Sequence, residues 1–198
     1  LIQLTREYFD SLDDEKIKEL VDLAEPYFTH RKNLYKRYRR KESPNEIMSS
    51  DGDRIVVAFE SYIVGMARGY LSGKPPAYSI ASNDDEGGEA AEEYQAHIDK
   101  VRRYNDDAAT FSELIHDYVV TGAAYLYVTE NENNEVVYTR LDSRSTVCVY
   151  DYGTPPYPVA MLRVLERDGG RVMEVVTEKL RRMYHSDGKP AFFEDFGD

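Results

Sequence analysis

Apolar positions along this chain follow two periods, one near 3.6 residues up to about Gly122 and one near 2 after it. Ser11 with Asp14 three residues later has the form of a capping box, and Ile17, Leu20, Val21 and Ala24 then follow at i, i+3, i+4 and i+7. That spacing predicts a short amphipathic helix. Pro26 suits the first position of a second helix, with Tyr27, the Arg31 stem, Leu34, Tyr35 and Tyr38 on its apolar side. The turn signal Ser43-Pro44-Asn45 ends it.

From Asp53 a third helix is expected, with Ile55, Phe59, Tyr62, Ile63, Met66 and Tyr70 on one broad face and Ser61 and Gly65 on a narrow strip, a pattern that predicts enclosure on most sides. Gly73, Pro75 and Pro76 stop it, and residues 77–81 have the composition of a short strand. Asn83 to Gly88 forms a polar, Gly-containing loop, the segment expected to be mobile. A fourth helix over about 89–103 carries Ala91, Tyr94, Ile98 and Val101 inward. A fifth over about 107–121 carries Ala108, Phe111, Leu114, Ile115, Tyr118 and Val119, with Gly122 as its cap.

Beyond Gly122 the alternation predicts strands near 124–129, 136–141, 147–150, 159–165 and 172–177, with turns at 131–134 and 168–170. Helices first and strands second give an α+β fold, N-terminal helices packed with a C-terminal antiparallel β-meander. The expected division is an N-terminal helical segment over 1–52 and an α+β domain over 53–198, with 83–88 as its mobile acidic loop. The third and fifth helices are expected to form the core, so that replacing Phe59 or Phe111 by Ala would cost ~3–5 kcal/mol.

Composition narrows the function classes. The formal net charge is −12, whereas a protein that neutralises phosphates normally shows a basic surplus on some face. The chain has 17 Tyr and no Trp, and its one cysteine, Cys148, lies in an apolar stretch and reads as a small core residue. No signal segment opens the chain, which points to an intracellular product. The run from Ile55 to Leu71 contains Glu60 and Arg68 and reads as a buried helix, not a membrane span. Starting at Leu1 and stopping at Asp198, the chain has the look of a piece of something longer.

Little in the sequence carries catalytic chemistry. His30, His97, His116 and His185 are dispersed, and none stands at i, i+4 from another, so no metal or cofactor is expected. Gly69-Tyr70-Leu71-Ser72-Gly73-Lys74-Pro75 is one residue short of a phosphate loop, lacks Ser or Thr after Lys74 and follows a helix, so it reads as a helix stop. No nucleophile elbow is present. Two charge clusters remain. Arg31, Lys32, Lys36, Arg37, Arg39, Arg40 and Lys41 are interleaved with Tyr35 and Tyr38, and Asp84, Asp85, Glu86, Glu89, Glu92 and Glu93 form the opposite cluster. The basic cluster reads as a solvated face, half of a protein interface or a contact with DNA, and the acidic one as a solvated face or the other half of that interface; the expected interface residues are Arg31, Lys32, Lys36, Arg37, Arg40, Asp84, Asp85 and Glu86.

Several stretches resemble a known family. Arg54-Ile55-Val56-Val57-Ala58-Phe59-Glu60-Ser61-Tyr62-Ile63-Val64, running into Gly69-Tyr70-Leu71-Ser72-Gly73-Lys74-Pro75, is similar to the SPP1-like family of tailed-phage portal proteins. So are the basic, Tyr-rich segment ending in Tyr38-Arg39-Arg40-Lys41, the junction Thr121-Gly122-Ala123-Ala124-Tyr125-Leu126-Tyr127, and Leu141-Asp142-Ser143-Arg144 followed by Val149-Tyr150-Asp151. The matches run in the family's order over roughly 27 to 178, although Leu141-Asp142 stands where the family often has Ile-x-Pro.

The resemblance implies a non-enzymatic structural subunit of a ring at one capsid vertex of the virion, assembled in the host cytoplasm. DNA passes through that ring without specific binding by this region. Capsid, terminase and head-completion proteins are the implied partners, and this region corresponds to the outer wing, without stem or clip. The competing readings are a stand-alone protein-binding adaptor and a hydrolase, the latter requiring a concave pocket with paired carboxylates.

Overall fold

The computed structural model describes residues 2–39, 46–48, 54–56, 59–74, 77–81, 88–167, 170–185 and 189–195. The elements are, in order, β1 (Ile2–Gln3), α1 (Arg6–Asp10), α2 (Asp14–Arg39), β2 (Glu46–Met48), β3 (Arg54–Val56), α3 (Phe59–Ser72), α4 (Gly88–Tyr104) and α5 (Asp107–Thr121). They are followed by β4 (Tyr125–Glu130), β5 (Val136–Leu141), β6 (Thr146–Tyr150), β7 (Pro158–Arg167), β8 (Gly170–Thr177), β9 (Leu180–His185) and β10 (Pro190–Asp195). Helices and a mostly antiparallel set of strands make the fold α+β. The chain divides into two compact units, Leu1–Leu34 with Asp142–Asp198, and Tyr35–Leu141.

The first unit is built on a six-stranded sheet in the order β1-β6-β7-β8-β9-β10. Strands β6 to β10 form an antiparallel meander, and β1 adds to its edge in parallel with β6. Helix α2 supplies the other layer. Its residues Ile17, Leu20, Ala24 and Phe28 recur at spacings of three and four, so they form one stripe, and all are buried. They join a cluster with Val147, Val149, Leu162, Met173, Val175 and Tyr184, the alternate positions of four neighbouring strands.

That stripe explains why two predicted helices are one. Proline inside a helix removes a hydrogen bond and costs ~3 kcal/mol or more, and Pro26 lies inside α2. Burying a side chain such as Leu20 or Phe28 stabilises by ~1.5–3 kcal/mol, and the stripe buries such residues on both sides of Pro26. The packing outweighs the lost bond. The cap also differs from expectation: Asp13 accepts from the Lys16 N–H at 2.8 Å, while the Ser11 hydroxyl accepts from the Lys16 ammonium.

On the opposite face of β8, Glu174 is only 1% exposed. Its two carboxylate oxygens accept from Arg163 Nε at 2.6 Å on β7 and from Arg181 Nε at 2.7 Å on β9. A buried carboxylate held between two charged donors in this way keeps both oxygens satisfied. Strands β9 and β10 extend the meander beyond the segments that the sequence predicted: Arg181 and Arg182 dilute the apolar content of β9, and Pro190, Glu194 and Asp195 that of β10.

The second unit has a different balance. Helix α3 packs on α5, and β4 pairs with β5 as a separate two-stranded hairpin. Asn131 shapes the turn, accepting from the N–H groups of Asn133 and Glu135 at its Oδ1. Gly122, at φ +75°, ends α5 by donating its N–H to Tyr118 O at 2.8 Å, as the sequence predicted. Asn105 fastens the corner between α4 and α5 to the hairpin: its amide donates to Val136 O at 2.8 Å and its Oδ1 accepts from Tyr138 N–H at 2.7 Å.

Several expectations for this unit are overturned. Residues 54–56 form a strand paired with β2 instead of the start of a helix, because the β-branched Ile55 and Val56 suit a ladder, and α3 begins at Phe59. Residues 77–81 form no strand. The α3 face expected to be enclosed is open, with Phe59 47% and Tyr70 88% exposed. Tyr94 and Tyr118 are exposed as well, and Phe111 is half-buried. Among the described residues, the buried apolar side chains of this unit are Val64, Val120 and Leu141. The expected boundary between residues 52 and 53, and the loop over 83–87, lie outside the described residues.

Truncating Phe28 to Ala should therefore cost ~3–5 kcal/mol in chemical denaturation, and Phe59→Ala less than ~1 kcal/mol, the reverse of a core built on α3. Equal losses at the two positions would contradict this placement of the core. Glu174→Ala leaves two arginines facing a vacated site in the sheet and should destabilise by ~3–5 kcal/mol. A melting temperature unchanged by that substitution would show that the two arginines are satisfied without it.

Candidate interaction surfaces

Helix α2 carries all of its acidic residues in its first half, alongside Lys16 and Lys18. Its first half holds Glu15, Glu19, Asp22 and Glu25, whereas residues 26–41 contain no Asp or Glu at all. Acids near the start and bases near the end both favour the helix dipole, so this arrangement helps hold the helix. Lys32, Lys36 and Arg37 are exposed near its C-terminal end. Lys32 and Lys36, four residues apart, share a side of the helix.

Arg31 is placed differently. Continuing the buried stripe of α2, it is half-buried, and its guanidinium donates to the carbonyls of Ser143 at 3.0 Å and Thr146 at 2.5 Å. These lie at the approach to and first residue of β6, so Arg31 fastens helix to sheet within the first unit. Arg39 stacks over the Tyr35 ring at 5.7 Å, and Tyr38 meets His116 edge-on, with His116 Nε2 3.2 Å from the Tyr38 hydroxyl. Arg40, Asp84, Asp85 and Glu86 lie outside the described residues. Glu89, Glu92 and Glu93, the part of the acidic cluster that is described, are exposed in the first turns of α4.

The depression of about 450 Å³ at the α4–α5 corner is lined by Asp99, Arg102, Arg103, Asp106, Asp107 and Ala108, where Arg102 Nε bonds Asp107 at 2.9 Å. That arrangement pairs carboxylates with guanidiniums at a surface instead of placing two carboxyls across a closed cleft. In the first unit, a cleft of about 250 Å³ between α1 and the sheet is crossed at its rim by the exposed Arg6–Glu178 pair. Burial pushes the Cys148 thiol up from its ordinary value, partly offset by the Arg31 charge, which disfavours the thiolate a nucleophile requires. Asp151 is held below the usual carboxylate range by the N–H groups of Tyr157 and Gly153, which close the loop before β7. Among the described residues no group of three or more His, Cys, Asp or Glu could hold a metal ion. No helix among them is long and apolar enough to cross a membrane.

The surface the sequence reading missed is apolar. Phe59, Tyr62, Ile63, Met66 and Tyr70 are 47%, 66%, 60%, 59% and 88% exposed along one side of α3. Their helical spacing was legible, but it marks a face that gets buried without saying by what. Contiguous apolar area of this kind on a protein surface marks an interaction site.

No curated protein matches the chain. A family profile described as "Phage portal protein, SPP1 Gp6-like" matches residues 13–196, nearly its whole length. By that match the chain belongs to the SPP1 Gp6-like family of phage portal proteins.

Proposed function

We propose that this chain serves as a structural, non-catalytic subunit of the portal ring at one capsid vertex, through which phage DNA is packaged and ejected, and that the matched region is its outer wing. The observation that carries the reading is the family match over residues 13–196. Charge is consistent with it. A net charge of −12 disfavours a tight grip on phosphates, and a conduit has to let DNA slide instead of holding it. The ring would assemble in the host cytoplasm, remain in the virion, and meet capsid, terminase and head-completion proteins. No cofactor takes part.

A ring joins unlike faces of neighbouring copies, so it needs two complementary patches. The basic end of α2 is one candidate, with Lys32, Lys36, Arg37 and Arg40 facing the neighbour's Asp84, Asp85 and Glu86. Arg31, the fifth basic residue proposed there, is already engaged by Ser143 and Thr146 and contributes mainly by fixing the helix. Exposed pairs stabilise by only ~0–1 kcal/mol each, so the cluster sets register more than affinity.

Electron microscopy of the complete protein should show closed rings with an axial channel; a protein that stays monomeric at every concentration would remove the reading. Reversing Lys32, Lys36 and Arg37 to Glu should lower the fraction of closed rings at low salt, and adding Asp84→Lys, Asp85→Lys and Glu86→Lys should restore part of it. Normal assembly of the first triple variant at both low and high salt would reduce the basic cluster to a solvated face.

A further inference from the structure

Among its described residues the second unit buries few apolar side chains, yet it exposes a regular apolar seam. Phe59, Ile63, Met66 and Tyr70 are spaced four, three and four residues apart on α3, and all are exposed. That is the 3.5-residue repeat with which one helix packs into another, each side chain entering a hole on the partner. The side of α3 turned to α5 is distinct: it carries the buried Val64, and Arg68 donates from it to Ser112 Oγ at 2.9 Å. Beside the seam, Gly65 and Gly69 have no atom within 4 Å of where a Cβ would stand, so a neighbouring element has room to approach closely.

The character of the seam selects its occupant. It holds no charged side chain, so nothing in it recognises a phosphate backbone or a charged peptide. With Tyr62 it offers on the order of 600 Å² of accessible surface, taking ~150–250 Å² for each fully buried large side chain, against ~800 Å² per partner in a standard interface. One patch thus approaches a full half of a specific protein contact.

We propose that the occupant is a second copy of this chain, and that α3 forms an apolar contact between adjacent subunits that covers this face. The inference rests on the portal reading, which supplies the adjacent copy. A ring joins unlike faces, so the seam is received by a different surface of the neighbour. The side of β4 bearing Leu126 and Val128, 40% and 54% exposed, supplies apolar area of that kind.

A photo-crosslinking benzophenone amino acid placed at Met66 of the complete protein, in an equal mixture of isotopically light and heavy chains, tests this. Irradiated rings should yield an adduct of twice the chain mass that contains light–heavy pairs. Ile63→Asp with Met66→Asp should lower the fraction assembled by about tenfold or more while leaving the melting of the single subunit unchanged, and Ile63→Leu should assemble normally. Rings that give only intrachain adducts, or adducts only to another virion protein, overturn the seam and leave the portal reading standing, as does normal assembly of the double variant. Absence of rings from the unsubstituted protein overturns the portal reading, and the seam with it.

Discussion

The burial of the α2 stripe against the meander is the interaction on which the first unit depends. Ile17, Leu20, Ala24 and Phe28 are all essentially inaccessible, and they cover alternate residues of β6, β7, β8 and β9. Without that cover the sheet would expose Val149, Leu162 and Val175 to water. The contact also holds α2 helical through Pro26, and Arg31 extends it by bonding two carbonyls at the edge where β6 begins. Local sequence, packing and a charged hydrogen bond act here in one direction, which is the consistency expected of a well-specified fold.

Among its described residues the second unit shows no such layer. Its elements are held by directed contacts: Asn105 bridging a helix corner to a strand, Arg68 reaching Ser112, and Tyr38 against His116. Hydrogen bonds of this kind fix geometry but contribute modestly to net stability, typically ~0.5–1.5 kcal/mol each. Such a unit, with an exposed apolar face on α3, is held more by directed contacts than by burial among its described residues.

Much of the architecture was legible in the sequence because it rests on short-range rules. Gly122 ends α5 because a residue at positive φ without a Cβ suits that position, and Asn131 closes its hairpin through its own side chain. The meander was legible from Val159 to Thr177, where apolar and β-branched residues are dense, and was lost at Leu180 to His185, where two adjacent arginines dilute them. Of the basic residues expected at an interface, Lys32, Lys36 and Arg37 stand exposed, whereas Arg31, chemically alike and adjacent, is drawn into its own unit.

The sequence by itself thus determined the α+β class, the period of most of the longer segments, the acidic balance and the family. Tertiary structure decided which apolar faces become core. Periodicity states that a face must leave water, but the stripes of α2 and α3 obey the same rule, and nothing local distinguishes them. Only the partner does: a six-stranded sheet stands over the first, and none of the described elements of its unit covers the second. The same holds for Pro26 and Glu174, since a helix breaker and a carboxylate are tolerated where long-range packing and two arginines from neighbouring strands offset their cost.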